Sequence, residues 1–309
     1  MTGPDPVASL AEEYDALRPY LTGVAYRIVG SRADAEDVVQ DGWLRLQRLV
    51  SGSADARPGN LRGWATTTVS RLALDLLGSA RRRRETYVGQ WLPEPWVSDA
   101  VGAAPPAPEG ADPADRVTLA DSVSYALLVV LETLSPAERT SWVLHDTFGM
   151  PFDEVAEVVG RTPEACRQLA ARARSRIEAR APRFEVDADA QRRVVESFLA
   201  AATGGDFEGL VALLDPAATL RGDGGGKVAT ARRPVEGADR VARLMLGIVR
   251  LAKHVDRSEV VPVNGMPGVL AYAGEKLVSV MSFAVADGRV TEIDVLVNPD
   301  KLARVQRTL

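Results

Sequence analysis

Apolar residues along this chain keep two different spacings, and the change from one to the other divides it. From Tyr14 to Glu85 they recur three and four positions apart, with almost no internal clusters of Pro or Gly, the pattern of packed amphipathic helices. The same spacing returns over residues 115–181, continues to about Leu214, and reappears from Gly237 to Ala252. It then gives way to Val-rich runs at Arg257–Val263, Gly268–Tyr272, Lys276–Val285 and Arg289–Val297, separated by Asn264-Gly265, Ala273-Gly274 and Asp287-Gly288. These read as strands of an antiparallel sheet joined by tight turns, with helices packed on it. Between the first two helical stretches, Glu94 to Pro113 collects Pro105, Pro106, Pro108, Gly110 and Pro113, too little apolar surface to order itself. A short charged bridge runs from Pro182 to Asp189. The predicted organisation is multidomain: an all-α domain at 11–86, a Pro-rich linker at 87–114, a second all-α domain at 115–181 and an α+β domain at 190–309. No repeat of fixed period is found.

The second helical stretch contains well-formed start signals. Ser135-Pro136-Ala137-Glu138 combines an N-cap Ser, Pro at the first helical position and Glu placed for a capping box, so a helix starts there and ends near Gly149. Asp153 to Ile177 reads as helix, tight turn, helix: Val155, Ala156 and Val159 mark the first helix, Gly160 the turn, and Thr162-Pro163 the second start. On that second helix Cys166, Leu169, Ala170, Ala173 and Ile177 form a narrow buried stripe. Arg161, Thr162, Glu164, Arg167, Gln168, Arg172, Arg174 and Arg176 are left outward. Such a helix enters a major groove with Arg167 and Gln168 toward base edges and Arg172, Arg174 and Arg176 toward phosphates. A merely solvated surface helix would need neither the turn spacing nor five arginines in this stretch.

The first stretch carries charges of both signs in separate places. Ser31-Arg32-Ala33-Asp34 opens a helix whose outer surface holds Asp34, Glu36, Asp37, Gln40 and Asp41, with Trp43 beside them. An acidic face with an exposed aromatic suits a basic protein partner and repels DNA, although by itself it would also serve as a plain solvated face. Farther on, Asn60-Leu61-Arg62-Gly63-Trp64 leads into a helix that carries Arg71 and ends in Arg81-Arg82-Arg83-Arg84. Four consecutive cations complement a helix C-terminus, and at this density they favour phosphate contact.

Composition removes several classes of function. With 309 residues, 46% hydrophobic and 26% charged, the chain suits two or three compact units. Met1 to Leu10 lacks a basic flank followed by an apolar stretch, and no long apolar run occurs, so a cytoplasmic location and no membrane contact are expected. One cysteine, Cys166, and two isolated histidines, His145 and His254, supply no metal ligand set, and no cofactor or catalytic residue is expected. The net charge of −5 argues weakly against a protein that coats nucleic acid; the local clusters carry more weight.

These residues together resemble a family. Ala33-Asp34-Ala35-Glu36-Asp37-Val38-Val39-Gln40-Asp41-Gly42-Trp43-Leu44-Arg45-Leu46 is similar to region 2.2 of the extracytoplasmic-function RNA polymerase sigma factors, Asn60 to Arg84 to their regions 2.3 and 2.4, and Ser135 to Arg180 to their region 4. The resemblance implies a transcription initiation subunit that binds RNA polymerase core through its β′ and β subunits and reads promoter DNA. Asn60, Arg62, Arg71, Arg81, Arg82 and Arg83 would serve the minus-ten element and the second helix of the helix-turn-helix the minus-thirty-five element. Gly42 departs from the family, which has a larger residue there; a mid-helix Gly costs roughly 1 kcal/mol against Ala, and a slight loosening of core docking is expected.

Three strings resemble a subgroup with a SnoaL-like, nuclear-transport-factor-like C-terminal cone: Trp91-Leu92-Pro93-Glu94-Pro95, Asp223-Gly224-Gly225-Gly226-Lys227 and Asn298-Pro299-Asp300-Lys301-Leu302. The resemblance implies a fused domain regulating the sigma factor in place of a separate partner. The expected interdomain contact joins Trp91, Pro93 and Pro95 to Asp223, Gly225 and Lys227, with a small molecule or protein as an unidentified regulator. The glycine string lacks phosphate-loop spacing, since Val228 follows Lys227. Two other readings remain at this point: a one-component DNA-binding regulator with a sensing cone, which would not need the acidic helix, and an enzyme fused to a DNA-binding module, which would need groups such as Asp215, His254 and Asp294 to converge.

Overall fold

The computed structural model describes residues 6–52, 56–84, 87–97, 124–180 and 187–306, with backbone alone for 6–8, 80–84 and 306. They fall into two compact units. The first holds residues 6–82 and 131–179, the second 87–97, 124–130 and 187–306.

The first unit is all helical. Its helices are α1 (Pro6–Val29), α2 (Arg32–Gly52) and α3 (Leu61–Arg84), then α5 (Pro136–Trp142), α6 (Phe152–Val159) and α7 (Pro163–Arg180); α4 (Tyr125–Leu131) belongs mostly to the second unit. α5 starts as its sequence dictates: the Ser135 hydroxyl accepts from the Glu138 amide, and the Glu138 carboxylate accepts from the Ser135 amide at 2.9 Å. The helix continues as a π turn over Val143–Thr147 and stops at Gly149, whose φ of +65° other residues resist. The two helical stretches share this unit through Arg139, which is buried, donates to the Arg27 carbonyl at 2.9 Å and pairs with Glu132 at 2.6 Å. Tyr20 meets the Phe148 ring edge-on at 5.6 Å.

The second unit is an α+β cone. Its strands are β1 (Leu214–Asp223), β2 (Val235–Glu236), β3 (Arg257–Val263), β4 (Met266–Ala273), β5 (Lys276–Ala286) and β6 (Arg289–Leu296), in the order β2-β1-β6-β5-β4-β3. Helices α8 (Ala188–Gly204), α9 (Phe207–Leu213) and α10 (Ala238–Leu251) cover one face around Phe198, Leu210, Met245, Phe283 and Ile293. α11 (Pro299–Gln306) packs Leu302 and Val305 against Leu270, Val280 and Leu296 on the other. The four strands read from the sequence, β3 to β6, pair antiparallel as expected, and β1, which was not read as a strand, adds to β6 in parallel, with Leu220 opposite Ile293. That pairing joins strands distant in sequence, which no local turn signal announces. The two-residue turns do follow theirs, with Asn264 at φ 52° and Asp287 at φ 51°, each before a glycine.

Residues 87–97 also depart from expectation. Composition placed Glu94 to Val97 in a linker unable to order itself, yet Leu92, Pro93, Glu94, Pro95 and Val97 are buried on the cone. Val97 bridges Val263 on the edge strand β3, and Trp96 and Asn264 exchange hydrogen bonds at 2.7 and 2.9 Å. The neighbouring domain supplies the apolar surface this segment lacks. The proline-rich remainder from Pro105 to Pro113 lies outside the described residues.

Candidate nucleic-acid interface

Helix α7 presents the stripe read from its sequence. Cys166, Leu169, Ala170, Ala173 and Ile177 are buried, while Arg161, Thr162, Glu164, Arg167, Gln168, Arg172, Arg174 and Arg176 are exposed. Gly160 makes the turn at φ +69°, and the Thr162 hydroxyl caps α7 by accepting from the Ala165 amide at 3.2 Å. The exposed arginines are not equivalent. Arg172 and Arg176 both face Glu138, at 3.6 and 3.0 Å, and Arg174 pairs with Asp146. Burial pushes the Glu138 carboxyl up, but the Ser135 hydrogen bonds and the two guanidiniums outweigh it and hold it below the usual carboxylate range. Arg167 instead lies 5.2 Å over the Phe152 ring, which stacks on His145 at 3.8 Å. The helix thus offers Arg161, Arg167 and Gln168 at its N-terminal end, and near its middle three arginines already shared with carboxylates.

On α2, Glu36, Asp37, Gln40 and Asp41 are exposed and Asp34 is half-buried. Asp37 and Asp41 make no ion pair among the described residues, whereas Glu36 holds Arg32 at 2.9 Å and Gln40 accepts from Arg18 at 3.3 Å. Trp43 is not the freely exposed aromatic expected: it is half-buried, its ring 5.5 Å from Tyr14. The apolar residue that does stand out from this face is Leu44, one turn beyond Gln40 and Asp41. Leucine at that spacing is a signal the sequence contained. Gly42 points inward, where an added Cβ would lie 2.6 Å from the Tyr14 hydroxyl and 2.9 Å from Val69. That hydroxyl donates to the Val39 carbonyl at 2.7 Å, so the departure from the family pattern makes room for a buried tyrosine rather than altering the outer face.

Asn60 caps α3, accepting from the Gly63 amide at 2.9 Å. Arg62 lies 4.2 Å over the Tyr20 ring, and Arg71 donates to the Glu157 carbonyl of α6 at 2.8 Å. Both side chains are thus engaged within the unit. Arg81, Arg82 and Arg83 sit in the last turn of α3, and their side chains lie outside the described residues.

In the second unit the three short strings form one network. Asp223, fully buried at the end of β1, accepts from the Leu92 amide at 3.0 Å, from the Gly225 amide at 3.0 Å and from the Tyr87 hydroxyl, and pairs with Lys301 at 2.7 Å. Lys301 is 4% exposed, donates also to the Leu92 carbonyl, and lies 3.3 Å over the Trp91 ring. Tyr87 packs edge-on against Trp91 and accepts from Asn298 at 2.8 Å. Burial, then the hydrogen bond to Asp223, push the Tyr87 phenol up, so it stays a donor. Gly225 is confined by Asn298, 2.6 Å from where a Cβ would stand. Pro93 and Pro95 are buried, the Pro93 carbonyl accepts from Tyr125 at 2.7 Å, and Glu94 holds Arg304 at 2.9 Å. Lys227 pairs with Asp300 of α11 at 2.7 Å. Sequence reasoning quoted the string holding Asn298 and Lys301 but not their part in the contact, and it missed Tyr87 and Arg304 entirely.

Asp215, His254 and Asp294 do not converge. Asp215 accepts from the Ala217 amide at 2.8 Å, while Asp294 is buried beside Arg221 at 2.7 Å. Burial raises Asp294 and Glu292 above the ordinary carboxylate range against the opposing pull of that guanidinium.

A helix-turn-helix with a basic outer face, sharing its helical unit with a helix of acidic outer face, defines a transcription initiation factor of the sigma-70 class. Residues 14–83 match the family model Sigma-70 region 2, and residues 124–177 match Sigma-70, region 4. The chain is 42% identical over 300 residues to the ECF RNA polymerase sigma factor SigJ of Mycobacterium tuberculosis, covering 94% of this chain and 92% of that one. It is 37% identical over 306 residues to a probable ECF RNA polymerase sigma factor, SigI, of the same species, covering 98% and 97%. The crystal structure of SigJ aligns with a TM-score of 0.71 at 38% identity, covering 95% of this chain and 98% of that one. The chain belongs to the extracytoplasmic-function RNA polymerase sigma factors, proteins that direct RNA polymerase to promoters, and within them it carries a C-terminal α+β domain. Regions 2 and 4 bind polymerase core and promoter DNA.

Proposed function

We propose that this sigma factor docks on polymerase through the outer face of α2, reads the minus-ten element with α3 and the minus-thirty-five element with the N-terminal end of α7, and is regulated by its own cone. On α2, Asp37 and Asp41 ring the exposed Leu44, a charged rim around an apolar anchor that suits the coiled coil of the β′ subunit. Region 4 contacts the β subunit. The protein works without catalysis, in the cytoplasm where polymerase is.

The observation that carries the regulatory part is the buried Asp223–Lys301 pair, closed over the backbone of Leu92. The segment connecting the two promoter-reading regions is thereby an integral piece of the cone's surface, and its freedom is set by that ion pair. The experiment is promoter-specific transcription with purified core polymerase, comparing the intact chain with Asp223→Asn and Lys301→Met. Output altered at least threefold in both variants, with core affinity unchanged, is expected. Output equal to the parent in both removes the regulatory role.

A further inference from the structure

We propose that the open end of the cone is a binding site for a small lipophilic acid, an apolar body with one carboxylate. The inference rests on a cavity that takes no part in the Asp223 network and is independent of the regulatory reading. It measures about 1120 Å³, opens to solvent, and is lined by α8, α10, the sheet and the start of α11, with Leu199, Met245, Ile248, Ala271, Met281 and Val295 among the residues facing it. Its volume lies just above the usual range of sites for drug-sized ligands, about 300–1,000 Å³ and mostly apolar.

The rim points to the same occupant. Leu251, 83% exposed, and Val228, 44% exposed, are two of the large hydrophobic side chains that the described residues leave in water, and both stand at this mouth. Exposed apolar side chains gathered on the rim of an apolar cavity mark a binding surface. The charge there is uneven once internal pairs are removed. Glu196 takes Arg192, Asp256 accepts from the Gly274 amide, and Arg257 takes Glu259. Lys253 and Lys276 make no ion pair among the described residues, and His254 lies with them on the lining. Lys253 and Lys276 outnumber Asp256, whose hydrogen bond leaves its charge in place, so the mouth is net positive above an apolar floor, which matches a negative headgroup on a lipophilic body.

The test is calorimetric titration of the full chain with oleate, below its micelle concentration, and with oleyl alcohol of the same length. Saturable one-to-one binding of oleate is expected, at least tenfold tighter than the alcohol. Lys253→Gln with Lys276→Gln should remove that preference, Ser279→Phe should weaken binding of both by occupying part of the apolar lining, and Leu251→Ser on the exposed rim should weaken both several-fold with an unchanged thermal midpoint. No saturable binding by the parent, or binding undiminished in both Ser279→Phe and Leu251→Ser, overturns the site. Equal affinity for acid and alcohol overturns the headgroup assignment. A concentration-dependent dimer that Leu251→Ser dissolves and oleate does not would make a second copy the occupant, and likewise overturns the proposal.

Discussion

Gly42 has no side chain because Tyr14 has taken the space. Reading α2 alone, a glycine in mid-helix is a weakness that Ala should repair by roughly 1 kcal/mol; with Tyr14 in place, the added methyl would stand 2.6 Å from the hydroxyl. Gly42→Ala is therefore expected to lower stability by about 1–3 kcal/mol, the usual cost of overpacking, and Tyr14→Phe in the same chain to recover part of it; chemical denaturation reads both. A gain in stability for Gly42→Ala alone would contradict this packing. The same burial pushes the Tyr14 phenol up to about 12 from 10.0. An acid whose folded pKa is raised loses stability as pH climbs, so the parent should become less stable between pH 10 and 12, and Tyr14→Phe should show a smaller loss in that window. None of this was legible in the sequence, because Tyr14 reaches Gly42 from another helix and nothing local reports that approach. The Asn60 cap lay within reach of the sequence, since a cap acts on its own helix, but the residue was read only as a minus-ten contact; Asn60→Ala should cost about 1 kcal/mol.

At the scale of elements, legibility follows how local the cause is. The stripe of α7 and the capping box of α5 were readable because each is fixed within a single helix. β1 was not, since its pairing with β6 is parallel and long-range, and α11 was hidden in a string read only as a signature. The arginine pairs of α7 depend on how α5 packs beneath it. Their consequence is measurable: Glu138→Gln should lose about 1 kcal/mol of capping stability while releasing Arg172 and Arg176, so that affinity for non-specific DNA rises and its salt dependence steepens by about one ion. Unchanged DNA affinity would show that these pairs do not compete with phosphate. Arg167 belongs to a different class. Arg167→Ala is expected to flatten discrimination among minus-thirty-five variants by about 1–3 kcal/mol, and an equal loss on every sequence would remove it from base reading.

Over the whole molecule, the order of helical and α+β domains could be read from spacing alone. Composition by itself read the segment after α3 as a tether, and only the resemblance of the short strings led to the expected contact between Trp91, Pro93, Pro95 and the Asp223 turn. What orders residues 87–97 is a lysine more than two hundred positions later, meeting Asp223 in a site neither string predicts by itself. Removing one partner of a buried pair costs about 3–5 kcal/mol, because the other charge is stranded. Asp223→Asn is expected to unfold more readily by that order and to expose the segment to protease, with Asp223→Asn/Lys301→Met less affected than the sum of the two; equal protease resistance in all variants would contradict the network. Depth also gives this pair a property the DNA-reading surface lacks. Lys301 and Asp223 are almost out of reach of mobile ions, whereas every phosphate contact is made in the ionic atmosphere of the duplex. Potassium chloride is therefore a selective reagent for this protein: raising it should strip the sigma factor from DNA at concentrations that leave the segment clamped. Dissociation with a clamped segment and dissociation with a released one become two separable states in a single titration.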